Sequence, residues 1–139
     1  MSIPTVTVLC GSTRFCQVMA VCAWLLERDE GHITMGLHLL PDWYWAGEPV
    51  SDHLAESEGV ADAQDALHLR KIDLCDEVFI VDVGRYIGNS TANEIRYATA
   101  LHRPIRRYTD DPIGLRVGEL LGIEGNRHFE DLARKGSYD

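Results

Sequence analysis

Apolar residues fall along this chain alternately in short β-branched runs and in three-to-four-residue periods. TVTVLC (5–10) is one such run, and Gly11 closes it, which predicts a strand entering a tight turn. Phe15, Val18, Met19, Cys22 and Leu26 then recur at helical spacing up to Gly31. HITMGLHLL (32–40) predicts a second strand, stopped by Pro41. A second helix is expected over about 60–74. EVFIVDV (77–83) has the continuous apolar character of a strand buried on both faces. A helix running to His102 follows, then RPIRRY (103–108) as a fourth strand. Residues 113–135 hold one or two helical pieces, with Gly114, Gly118, Gly122 and Gly125 as interruptions.

Strands alternating with helices imply a parallel sheet covered on both faces. The fold expected is α/β, a Rossmann-like three-layer sandwich with a four- or five-stranded parallel sheet, in a single domain over 1–139. In such sheets ligands sit beyond the carboxyl ends of the strands, where the strand order switches. Three segments converge there: CGSTRF after the first strand, the irregular stretch 41–58 with Trp43, Tyr44 and Trp45 after the second, and VGRYIGNSTANE after the third.

Composition narrows the function classes. Hydrophobic residues make up 45% and charged residues 25%, as in ordinary globular proteins. No apolar run reaches membrane-spanning length, and the N-terminal segment lacks a basic leader, so a cytoplasmic protein without membrane partners is expected. The net charge of −9 argues against polymeric nucleic acid, whose binding needs a basic face. A small anion remains open, since a helix N-terminus and one arginine suffice. Cys10, Cys16, Cys22 and Cys75 form no C-x-x-C and match no zinc spacing. They read as reduced residues, three of them in apolar core segments. No metal and no cofactor is expected.

CGSTRF offers backbone N–H groups at a helix start, the hydroxyls of Ser12 and Thr13, and Arg14 for bidentate contact with a phosphate or carboxylate. The plainer alternative is that Ser12 or Thr13 caps the helix. Thr91-Ala92-Asn93-Glu94 is a T-x-x-E capping box, which would account for Thr91 and Glu94 without chemistry. The aromatic cluster offers a wall for a base to stack on; packing or a subunit contact is the alternative.

The run Gly88, Thr91, Glu94, Ile95, Tyr97, Ala98, Ala100, Arg103, Pro104, Ile105 resembles the nucleoside 2-deoxyribosyltransferase family and its relatives, the nucleoside 5′-monophosphate N-glycosidases. LCDEVFIVDV is similar to that family's A-D-x-V-V-A strand, and CGSTRF to the phosphate loop of the monophosphate branch. The resemblance implies a single nucleoside 2-deoxyribosyltransferase-like domain in which Glu94 attacks C1′ of a (deoxy)ribose and displaces the base. A glycosyl–enzyme intermediate would form as in a retaining glycosidase, with hydrolysis ahead of base transfer. It further implies a nucleotide or nucleoside substrate held by Gly11, Ser12, Thr13, Arg14, Gly88, Asn89, Ser90, Thr91, Trp43 and Trp45. A homodimer or higher homo-oligomer is implied as well. Where the family carries a catalytic aspartate this chain has His68, with Asp73 and Asp65 as rival acids on the same helix. Where relatives carry Asp or Ser it has Gly88. A non-catalytic nucleotide sensor and an NAD-type glycohydrolase are the competing expectations.

Overall fold

The computed structural model describes residues 2–40, 42–45 and 59–135, with backbone only for Asp42 and Trp45. Strand β1 (Val6–Cys10) enters a 3-10 turn (Thr13–Phe15) and helix α1 (Cys16–Glu30). Gly31, at φ 67°, ends α1 in the left-handed conformation that glycine adopts without penalty. Strand β2 (Ile33–Met35) is short: the expected strand over 32–40 stops at Gly36, so only its first third pairs. A 3-10 turn (Asp42–Trp45) and helix α2 (Ala61–Leu74) follow. Strand β3 (Glu77–Ile80) leads through a 3-10 turn (Val83–Arg85) to helix α3 (Asn89–Ala100). Strand β4 (Ile105–Arg107) and helix α4 (Pro112–Arg134) complete the order.

The four strands form one all-parallel sheet in the order β2-β1-β3-β4. Chain order reverses between β1 and β3, so the switch point opens beyond their carboxyl ends. Alternation along the central strands divides the core. Leu9, Phe79 and Val81 meet Val18, Met19, Cys22, Leu25 and Leu26 of α1 and Ile113, Val117 and Phe129 of α4 on one face. Val8, Cys10, Val78 and Ile80 meet Ile72 of α2 and Ala98 of α3 on the other. This is the expected three-layer α/β sandwich.

Gly11 sets the floor of the crevice. A Cβ there would stand 3.1 Å from the Val81 carbonyl oxygen, so the ends of β1 and β3 approach closely only because position 11 lacks a side chain. Of the four glycines expected to interrupt the last helix, only Gly122 does so, at φ 73° and ψ −179°, where two helical pieces meet at a kink. Among the described residues no helix is long and apolar enough to cross a membrane.

Candidate functional site

Glu94 occupies neither end of α3. The helix starts at Asn89 after Gly88, whose extended backbone (φ −84°, ψ −179°) serves as N-cap without a side-chain hydrogen bond. Thr91 therefore lies inside the first turn and Glu94 in the second, and the capping box legible in the sequence is not formed. Thr91, Glu94 and Ala98 follow the i, i+3, i+7 spacing of one face, and that face is buried. A carboxylate with 6% exposure in the second turn of a helix has no capping function to explain it.

Two side chains from other elements meet it. His68 and Ile72 form the buried face of α2, and His68 Nε2 lies 3.8 Å from Glu94 Oε2. Cys10, the last residue of β1, projects to the same face, with Sγ 3.3 Å from His68 Nε2. The ligating atoms of Cys10, His68 and Glu94 all lie within 4.8 Å of one another. His68 Nδ1 is buried without a hydrogen-bond partner among the described residues.

Burial governs the protonation of this cluster. It pushes His68 down to about 4, with Lys71 and His38 adding to the effect, so the imidazole is neutral at pH 7. The Cys10 thiol is pushed well above its usual value, first by burial and then by the neighbouring carboxylate of Glu94 and by Cys75; a hydrogen bond to Glu94 adds to this. Cys10 therefore holds its proton. A neutral imidazole and a protonated thiol thus face the Glu94 carboxyl group.

Asp73 and Asp65 separate from this cluster. Asp73 lies five residues beyond His68, about 140° around α2 at roughly 100° per residue. It is exposed, accepting from Arg70 Nε at 2.6 Å and from the Tyr97 hydroxyl at 2.5 Å. Tyr97 first and Arg70 after it hold its carboxyl below the usual range. Asp65 is exposed as well. In the first loop, Ser12 is buried and its hydroxyl accepts from the Arg14 N–H at 3.3 Å, capping the 3-10 turn that Thr13 begins. Arg14 is buried, with Nη1 donating to the Leu132 carbonyl at 3.0 Å and the guanidinium 4.2 Å from the Tyr86 ring centroid. Gly88 is buried, Asn89 exposed and Ser90 partly buried at the start of α3. Trp43 is 79% exposed and stands edge-on to Tyr44; the Trp45 side chain lies outside the described residues.

Cys10 is the participant that the sequence reading placed in the core. A cysteine closing an apolar strand looks like a core residue until the strand's neighbours are known. Its position immediately before the glycine at the strand switch is the one signal that sets it apart. Hollows elsewhere among the described residues are lined by none of the three cluster residues. One of about 500 Å³ lies between the turn after β3 and α4, beside Arg85, Thr109 and Asn126. One of about 210 Å³, apolar, lies at the end of β2 beside Leu9, Met19 and Leu37. The cluster marks the candidate site because it carries the chemistry and adjoins the carboxyl end of β1. Comparison of the chain with family models, with curated proteins and with solved structures found no significant match.

Proposed function

We propose that the chain cleaves the N-glycosidic bond of a nucleoside 5′-monophosphate, with Glu94 as nucleophile and hydrolysis ahead of base transfer. The observation that carries this reading is the position of Glu94: buried, released from any capping function, and facing His68 and Cys10 beside the β1–β3 switch. The carboxylate attacks C1′ as the bond to the base breaks, giving a glycosyl ester. Water then attacks C1′, the ester bond breaks to return the carboxylate, and the proton that the water loses balances the one taken up by the displaced base. His68, neutral at pH 7, orients Glu94 through a ring N–H or accepts a proton. Asp73, engaged on the solvent side of α2, is the weaker partner for this step. Ser90 and Thr91 at the first turn of α3, with the backbone N–H groups of the loop at 11–14, hold the phosphate and ribose, and Arg14 reaches the phosphate only on leaving the Leu132 carbonyl and the Tyr86 ring. The reaction needs no metal or organic cofactor, and the reading includes a cytoplasmic homo-oligomer.

Glu94→Gln tests it. The amide is nearly isosteric but cannot form the ester. Incubated with a panel of nucleoside monophosphates, the wild type should release free base. Glu94→Gln should lose at least about 10³-fold in turnover, as when the nucleophile of a covalent mechanism is removed, while retaining its circular dichroism and nucleotide binding. Near-normal base release by a folded Glu94→Gln protein would remove Glu94 from the mechanism. A second reading, nucleotide binding without turnover, draws on the neutrality of His68, which leaves the site without a ready general acid at pH 7. Binding without base release across the panel would select it.

A further inference from the structure

The same three side chains compose a donor set that glycosidic chemistry does not require. We infer that Cys10, His68 and Glu94 form a binding site for one zinc-type divalent cation, ligated by Sγ, Nε2 and a carboxylate oxygen. Thiolate, imidazole and carboxylate are the donors that Zn²⁺ takes, whereas Mg²⁺ and Ca²⁺ prefer all-oxygen sites.

The spacing fits. Zinc bond lengths and a tetrahedral angle require about 3.5 Å between sulfur and nitrogen and about 3.4 Å between nitrogen and oxygen. The corresponding distances are 3.3 Å and 3.8 Å. The third pair, Sγ and the carboxylate oxygen, lies within 4.8 Å, so side-chain torsions that draw Glu94 toward Cys10 bring all three donors onto one ion. Three protein ligands leave the fourth position for water or an anion.

Charge also balances. The ion brings +2, and the Cys10 thiolate and the Glu94 carboxylate bring −1 each, so the ligated cluster is neutral. That is the condition for burying ions at low cost. Binding converts the Cys10 thiol to a metal-bound thiolate, and its proton leaves to solvent. His68 is already neutral, with the Nε2 lone pair available once the ring proton sits on Nδ1. No described residue accepts from Nδ1, the outer-shell contact that strengthens a resident metal site, and with this ligand set the ion exchanges with solution and yields to a chelator. An ion on Glu94 withdraws the oxygen that would attack C1′, making binding and turnover mutually exclusive; this last point alone rests on the glycosidase reading.

The test uses the full chain, stripped with EDTA and titrated with Co²⁺, then with Zn²⁺ by equilibrium dialysis. One Co²⁺ per chain should bind, with a thiolate-to-cobalt charge-transfer band and the intense visible bands of four-coordinate cobalt. Cys10→Ser should lose the charge-transfer band and more of its Zn²⁺ affinity than the 10–100-fold that loss of an outer-shell partner costs. Cys75→Ser should keep both. X-ray absorption on the wild-type zinc form should find one sulfur neighbour, a measurement that needs no variant to fold. Absence of the band in the wild type, its survival in Cys10→Ser, or a zinc ion with no sulfur neighbour would each overturn the site. Base release is assayed separately. Cobalt binding through Cys10 in a protein that never releases base would fail the glycosidase reading alone; base release without the band would fail the metal site alone.

Discussion

At pH 7 the imidazole of His68 is neutral in the fold, and its ordinary value of 6.5 applies only when the chain unfolds and water returns to it. The unfolded state therefore binds the extra proton first as pH falls. The stability contribution is fully present above about pH 6.5, declines as pH drops, and is exhausted below about 4. A displacement from 6.5 to about 4 corresponds to a loss on the order of 3 kcal/mol. In metal-free protein, denaturation midpoints at pH 7 and at about pH 4 should show the wild type losing that much more stability than His68→Asn. Equal losses would mean that His68 is solvated in the folded chain. Glu94 and Thr91 illustrate the limit of local reading at this scale. Their spacing satisfies a capping motif, yet the helix begins one turn earlier, at Gly88, and carries both residues onto its buried face.

Helix α4 holds a sharper test of packing. Gly114 and Gly118 are one turn apart in its first piece, and both weaken a helix in isolation. A Cβ on Gly114 would lie 1.8 Å from the Tyr108 carbonyl oxygen, a backbone atom that cannot turn aside. A Cβ on Gly118 meets nothing nearer than the Asn126 side chain at 3.6 Å, an ordinary contact. Gly114→Ala should therefore destabilise by about 1–3 kcal/mol or more through overpacking. Gly118→Ala should stabilise by up to about 1 kcal/mol through helix propensity. Thermal melts of the pair check this, and equal shifts would refute the close approach at Gly114. The sequence placed both glycines as breaks because propensity is local, whereas the approach of α4 to the end of β4 is not. Strand β2 shows the same limit: its apolar letters continue past Gly36, but pairing with β1 ends at Met35.

Across the whole molecule, Arg106 of β4 ties three other elements together. It donates to Glu77 of β3 at 2.9 Å, to both carboxylate oxygens of Glu30 in α1 at 2.9 Å, and to Asp111 at the N-cap of α4 at 2.8 and 2.9 Å. Hydrogen bonds to Asp111 first, then Glu30, raise its pKa above the ordinary arginine value. Arg106→Ala strands three carboxylates together. Because the cluster keeps partial solvent access, a loss of about 2 kcal/mol is expected, below the 3–5 of full burial. It should grow at low salt, read from midpoints at two ionic strengths. The α/β alternation, the parallel sheet and the strand switch were legible because periodicity and turn chemistry repeat over the whole chain. His68 and Glu94 were singled out in the sequence by a resemblance, and what the structure adds is that they meet, 3.8 Å apart. The role of Cys10 and the ties of Arg106 to Glu30 and Glu77 were not legible, since each depends on partners tens of residues away. That separation bears on biosynthesis. Cys10, His68 and Glu94 leave the ribosome in that order, and β1 gains its central place only when β3, formed long after β2, pairs on its free side. Closing so long a loop is an entropically late event in folding. A prematurely terminated chain that stops before α3 would lack Glu94, and the cluster could not be completed however much of the sheet had formed.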